Sequence, residues 1–218
     1  YRIDRGELSR GIDRLHPERM KLQVVDIIDE TPSTKTLRLA PKEGHLPPFM
    51  AGQYVALIVE IGNIRTTRAY SISSPPHCTG YYDITVRRVV DGFVSNYLLD
   101  EVRVGDVLAS SGPAGNFYHN PIVHGNELVF VAGGSGVTPF MSMIREISQR
   151  GLSRTVYLFY GSKSERDIIF HQELARMSEK NPAIHYYPVV EEATTNWKGG
   201  KGFITKEMIV EKIKDISG

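Results

Sequence analysis

The sequence predicts two domains: an antiparallel β-barrel followed by an α/β domain with a parallel sheet. Two changes of texture predict this. From Lys21 to about Ser111, short segments rich in β-branched and aromatic residues are separated by Gly, Pro, Asn and Asp, the pattern of an all-β unit. After about Pro121, continuous apolar runs alternate with segments of helical spacing, the pattern of βαβ units and a parallel sheet. Composition supports the reading, since 41% of the 218 residues are hydrophobic, enough for a core in each half.

The first twenty residues are polar and basic with weak periodicity and read as an extension, residues 1–20. The barrel domain is expected over 21–122. Its strands are LQVVDII, TKTLRLA, QYVALIV, RAYSIS, YDITVRRV and DVLASS, with one helix from Gly92 to Glu101 before the last of them. A closed barrel is preferred to a sandwich because it leaves no open strand edges. The α/β domain is expected over 123–218, with the boundary between His119 and Gly125. Its strands are ELVFVA, TVYLFYG and IHYYPVV, and helices follow each, including IIFHQELARMSEK and a final ITKEMIVEKIKDI. In the second of these helices Ile168, Leu174, Ala175 and Met177 suit one face.

Composition also excludes function classes. Basic and acidic residues nearly cancel, 26 against 25, for a net charge of +1, which argues against a nucleic-acid binder. No segment is long and apolar enough for a membrane span. Cys78 is the single cysteine; it forms no internal disulfide and holds no cysteine-ligated cluster alone, which suits a cytoplasmic protein. The seven histidines have no metal-ligand spacing.

Four short constellations carry the chemistry. In VFVAGGSGVTPFMSMIREI, a strand ends at Ala132 and delivers a glycine knot to the carboxyl edge of the sheet, where open α/β sheets bind ligands. Gly133, Gly134 and Gly136 let backbone approach a phosphate, and a helix starting near Thr138, with Pro139 in its first turn, aims its positive end there. A tight turn with no ligand explains the same residues. In RAYSISSPP, Arg68, Tyr70 and Ile72 share one strand face and Ser71 takes the other. A guanidinium pairs with phosphate, and a tyrosine ring stacks on a flat heterocycle; a solvated barrel strand is the plain alternative. In DGFVSNYLLD, Ser95 is placed to cap a helix whose free N–H groups suit a second phosphate, and a simple capped helix is equally consistent. SGPAGNF, Ser111 to Phe117, is a tight turn with an aromatic at its end.

Taken in this order, these motifs resemble flavin oxidoreductases of the ferredoxin–NADP+ reductase type, over nearly all of Lys21 to Gly218. RAYS resembles the family's R-x-Y-S flavin motif, GFVSNYL its G-x-x-S segment, GPAGNF its G-P-x-G-x-F loop, GGSGVTP its dinucleotide loop, and YGSK its Y-G-x-R strand end with Lys163 in place of Arg. The resemblance implies an FAD-binding barrel and an NAD(P)-binding α/β domain. Arg68, Ala69 and Val86 would belong to the FAD site, Tyr70 would stack on the isoalloxazine, and Ser71 would lie near its N5; Tyr70 and Ser71 are the residues implied at the reacting centre. Gly92, Phe93, Val94 and Ser95 would hold the pyrophosphate. Gly134, Ser135, Gly136, Val137 and Thr138 would line the NAD(P)H site, with Tyr160 and Gly161 beside it. Electrons would pass from NAD(P)H through FAD to a one-electron acceptor, an iron–sulfur or haem protein or a fused iron–sulfur domain. Glu191 and Glu192 follow the third strand of the α/β domain, where a Ser-Arg pair would clamp a 2′-phosphate, and this favours NADH. Nothing after Phe203-Ile204-Thr205 matches the family's Cys-Gly-Pro turn, so the α/β domain is expected to be C-terminally incomplete by one strand and helix. The alternatives are an FAD-binding subunit without independent turnover and a non-enzymatic nucleotide-binding module. Trp197 is expected to anchor a loop rather than contact an adenine, and Glu165 and Asp167 to form a capping and surface pair, with contact of one of them to a ribose as the alternative.

Overall fold

The computed structural model describes residue 17 and residues 19–120 and 122–213; most of the expected N-terminal extension and the end of the last expected helix lie outside the described residues. The barrel strands are β1 (Met20–Thr31), β2 (Thr34–Pro41), β3 (Tyr54–Ile61), β4 (Ile64–Ser71), β5 (Tyr82–Arg87) and β6 (Val107–Ser110), with helix α1 (Phe93–Asp100) between the last two. They form one antiparallel sheet in the order β4-β3-β6-β1-β2-β5. A bridge between Ile72 and Ile84 joins the two ends of that order, so the sheet closes on itself as expected of a barrel. Alternation along the strands fills the interior with Leu22, Val24, Leu37, Leu39, Val55 and Leu57, all fully buried. Helix α1 packs Val94, Leu98 and Leu99 on the same core. The sequence reading missed the first half of β4, because IRTT carries little apolar signal on an exposed strand.

The second unit is a parallel sheet, β7 (Glu127–Gly133), β8 (Thr155–Ser164), β9 (Ile184–Glu192) and the two-residue β10 (Gly200–Lys201), in the order β10-β9-β8-β7. Helices α2 (Thr138–Arg150) and α3 (His171–Lys180) join consecutive strands, and α4 (Lys206–Lys212) follows β10. Met141, Ile144, Ile147 and Leu174 pack against Leu128, Phe130, Val156 and Leu158. On the opposite face, rings stack across neighbouring strands: Tyr157 on His185 at 4.7 Å and Phe159 on Tyr187 at 4.9 Å. Trp197 anchors its loop by donating from Nε1 to the Gly200 carbonyl at 2.9 Å. Ile168 lies before α3 rather than in it, after a 3₁₀ turn over Glu165–Asp167.

Helix α2 faces the barrel as well as the sheet. Ser142, Arg145, Glu146 and Gln149 recur at i, i+3, i+4 and i+7, one stripe of a helix. Each bonds the segment that follows β4: Ser142 Oγ donates to the Ser74 carbonyl at 2.7 Å, Arg145 Nη1 to the Ser73 carbonyl at 2.8 Å, and Glu146 and Gln149 meet the two ring nitrogens of His77 at 2.6 and 2.9 Å. The joint between the two units is therefore polar and directional, which fixes orientation more tightly than an apolar contact would.

Candidate functional site

A cleft of about 570 Å³ opens where β4, the end of β5, the start of α1 and the glycine knot converge. Arg68, Ala69, Tyr70 and Ser71 form one wall. Arg68 Nη1 donates to Thr66 Oγ1 at 2.9 Å and to the Thr67 carbonyl at 2.8 Å. These bonds orient the guanidinium, and its other nitrogens make no hydrogen bond among the described residues. Burial raises the Tyr70 hydroxyl above its usual range, against the pull of Arg68, so it stays neutral at physiological pH.

Gly92, Phe93, Val94 and Ser95 form the facing wall. Helix α1 starts at Phe93 with Gly92 as its N-cap and no side-chain cap. The expected Ser95 cap is not made: its hydroxyl instead accepts from the Val89 N–H at 3.2 Å. Ser95 is already in the first turn, and its bond ties the incoming loop to the helix. The first N–H groups of α1 therefore remain free to face an anion. A Cβ on Gly92 would collide with Ser95 Oγ and come within 2.9 Å of the Val89 carbonyl, so this turn is closed to larger residues. Arg88 holds it from outside through a two-bonded pair with Asp100 at 2.7 and 2.6 Å. Asp91, at φ 56°, carries the left-handed strain of the turn.

The third wall is the glycine knot. Gly134–Val137 form a 3₁₀ turn, not anticipated from sequence, and α2 begins at Thr138 with Pro139 in its first turn. Thr138 Oγ1 donates to the Ser135 carbonyl at 2.9 Å, closing the turn with a side chain. Ser135, Gly136 and Thr138 line the 570 Å³ cleft. Val137 does not; it is fully buried in the α/β core.

A second cleft of about 350 Å³ lies across the knot, at the carboxyl ends of β7, β8 and β9. Gly133, Gly134, Gly161, Ser162, Lys163 and Glu191 line it. Ser162 is 6% exposed, and its Oγ is buried beside the Tyr160 hydroxyl. Lys163 pairs with Glu192 at 3.5 Å. Tyr160 lines neither cleft. Its ring is fully buried, its hydroxyl donates to the Gly134 carbonyl at 2.9 Å and accepts from the Ile169 N–H at 3.2 Å, and burial pushes it up to about 12. Tyr160 thus acts on the knot from beneath. Glu165 is committed elsewhere, accepting from Thr194, whereas Asp167, which accepts from Ser164 at 2.5 Å, lines this cleft.

Sequence reasoning placed Val86 in the site and missed its neighbour. Val86 is fully buried in the barrel core, whereas Arg87 lines both clefts. The Arg87 side chain makes no hydrogen bond or ion pair among the described residues. It lies against Gly134, where φ is +51°, so Gly134 needs the conformation of glycine, while a Cβ there would only push the mobile end of the Arg87 side chain aside. The alternation YDITVRRV held the signal, because a strand with Val86 inward turns Arg87 outward. Thr85, a further lining residue, gave no signal in the sequence.

The residues present fit FAD on one side. An oriented guanidinium, a free helix N-terminus, a neutral tyrosine and a hydroxyl meet a phosphate-bearing, flat, polar-edged group. The second cleft offers backbone strand ends, Ser162, Lys163 and a carboxylate, suited to a dinucleotide.

Comparison with known proteins agrees. Residues 21–119 match the oxidoreductase FAD-binding domain and residues 130–217 the oxidoreductase NAD-binding domain. The chain is 33% identical over 201 residues to the glycine betaine monooxygenase reductase subunit of Chromohalobacter salexigens, covering 90% of this chain and 54% of that one. It is 29% identical to an NADH-cytochrome b5 reductase 1 of Dictyostelium discoideum, covering 95% and 72%. A cytochrome P450 reductase of Amycolatopsis superposes with a TM-score of 0.79 at 27% identity, covering 92% of this chain and 60% of that one. Against the first five curated relatives, the chain spans 53–60% of their length. With two domain models in the order its fold requires and reductases among its relatives, this chain belongs to the ferredoxin reductase-like flavin oxidoreductases.

Proposed function

We propose that the protein takes electrons from NADH onto FAD and hands them singly to an iron–sulfur or haem acceptor. One observation carries this reading: the two clefts share a wall, the glycine knot, and share Arg87. Ligands held in them would meet edge to edge. FAD, when bound, supplies a centre that accepts two electrons together and releases them one at a time.

The chain's own residues bind and orient. Arg68 takes a phosphate of the flavin nucleotide, and the N–H groups of Phe93, Val94 and Ser95 take its pyrophosphate. Tyr70 offers its ring as the stacking face, with Ala69 in the wall beside it, and Ser71 its hydroxyl as the polar contact. Gly134 and Gly161 present backbone to the nicotinamide nucleotide from the second cleft, and Ser135, Gly136 and Thr138, which line the flavin cleft, would meet its nicotinamide end where it reaches across the knot. No side chain is asked to move a proton. Glu191 in the second cleft favours NADH, because its carboxylate repels a 2′-phosphate. The acceptor follows from the chemistry of reductases such as the cytochrome b5 reductase relative. The lone Cys78 suits the cytoplasm. Among the described residues no helix is long and apolar enough to cross a membrane. The domain limits that fit this division of labour are 21–122 for the flavin half and 123–218 for the nucleotide half.

The test is direct. Purified protein reconstituted with FAD should be yellow and should bleach anaerobically on addition of NADH. Protein that takes up no flavin would refute the reading. Yellow protein that NADH leaves unbleached would instead support an electron-transfer subunit that needs a further segment or partner.

A further inference from the structure

The stripe on α2 has a centre. The Arg145 side chain is 12% exposed, and it joins three segments. Its Nη1 donates to the Ser73 carbonyl at 2.8 Å, and its Nε and Nη2 donate to the two carboxylate oxygens of Glu173 on α3 at 2.9 and 2.6 Å. Its guanidinium carbon lies 4.9 Å from the centre of the Phe170 ring. Burial opposes its charge, but the Glu173 carboxylate more than compensates and holds the guanidinium firmly protonated.

Each of those contacts leads to a cleft. Ser73 follows Ser71 by two residues, and its hydroxyl shares a hydrogen bond at 3.1 Å with Thr85 Oγ1, which lines the 570 Å³ cleft. Phe170 follows Ile169, whose N–H is held by Tyr160, whose hydroxyl in turn holds the Gly134 carbonyl. Arg145 is thus two hydrogen bonds from the wall of the flavin cleft and one short chain from the glycine knot, while touching neither. A single planar fork fixes all three segments at once, which a lysine cannot do.

We propose that Arg145 is a positioning residue that sets the flavin-side wall against the nicotinamide-side wall, so that the two bound groups meet in register. The inference rests on the reductase reading for its kinetic consequence, but its structural half does not. A displacement of about 1 Å between reacting groups is enough to slow a reaction on the order of 10²-fold without weakening either ligand.

The experiment uses the full chain in a Cys78→Ser background, with spin labels on Ile64→Cys in the barrel and Glu179→Cys on α3, both exposed. Inter-label distances, FAD content, NAD+ affinity and the limiting rate of anaerobic flavin reduction are measured with and without Arg145→Met. The expected result is a narrow distance distribution that broadens or shifts in the variant. FAD content and NAD+ affinity should stay within about threefold, with reduction slowed about 10²-fold. An unchanged distance distribution overturns the proposal, as does a rate loss that merely tracks loss of FAD. If Arg145→Met does not fold, Arg145→Lys, which keeps the charge without the fork, is read by the same quantities. If the unmodified protein holds FAD but NADH does not reduce it, the reductase reading fails, and the distance measurement still decides the role of Arg145.

Discussion

The two clefts proposed to hold nucleotides are built of different materials. The barrel side uses side chains with fixed partners: Arg68 braced on β4, Ser95 bonded across the turn, Arg88 locked to Asp100. The α/β side uses backbone: a 3₁₀ turn, strand ends, and a glycine pressed against Arg87. Side-chain sites lose affinity in steps as single groups are removed. Backbone sites tolerate little and fail when a Cβ appears.

Gly92→Val should therefore be the most damaging change on the barrel side. Its side chain collides with Ser95 and Val89 and closes the anion end of α1. FAD affinity should fall by at least about 100-fold, read by flavin retention on gel filtration. Gly134→Val makes the sharpest comparison, since a β-branched residue cannot adopt its positive φ without strain. NADH affinity should drop roughly 30-fold while FAD content holds; equal loss of both ligands would show that the two sides are not separable. Arg68→Ala follows, with about a 10- to 100-fold loss of FAD affinity from one charge-assisted hydrogen-bond donor, and full flavin retention would refute its phosphate role. Glu191→Gln should act only on the second cleft, narrowing the preference for NADH over NADPH about tenfold in paired kcat/KM measurements.

The smallest effect concerns the joint itself. Burial alone would raise the Glu146 carboxyl, but its bonds to His77 and Arg150 outweigh that and hold it below the ordinary 4.5. A carboxyl depressed in the folded state stabilises above its unfolded value and loses that contribution as pH falls through the folded one. Melting curves of the unmodified protein should drop more steeply below about pH 4.5 than those of Glu146→Gln, by on the order of 2 °C. Parallel curves would show that the outer end of the stripe adds nothing.

Much of this was legible in the sequence. Strand alternation marked the barrel, and continuous apolar runs marked β7 and β8. RAYS taken alone reads as an ordinary barrel strand with a solvated arginine, and it gained meaning only from the order of the motifs around it. The glycine knot was readable only in context, since glycines state a permitted conformation and not a ligand. What stayed hidden depends on tertiary approach. Arg87 is one of two adjacent arginines with nothing in the sequence to separate them, and only the fold brings the knot against it. Ser142, Arg145, Glu146 and Gln149 look like the solvent face of an amphipathic helix, yet that face is the seam. Tyr160 seemed a cleft residue because its motif sits at a sheet edge, and only packing shows its hydroxyl turned underneath.

That hydroxyl has a dynamic consequence. Ile169 is fully buried, and its amide is bonded to a phenol rather than to a backbone carbonyl. The same phenol tethers Gly134. Thermal opening of one contact releases the other, so the glycine turn and the Ile169–Phe170 segment should breathe as a unit. In hydrogen exchange, Tyr160→Phe should free both stretches together, and slow exchange at Ile169 becomes an internal clock for how often the dinucleotide side of the molecule lets go.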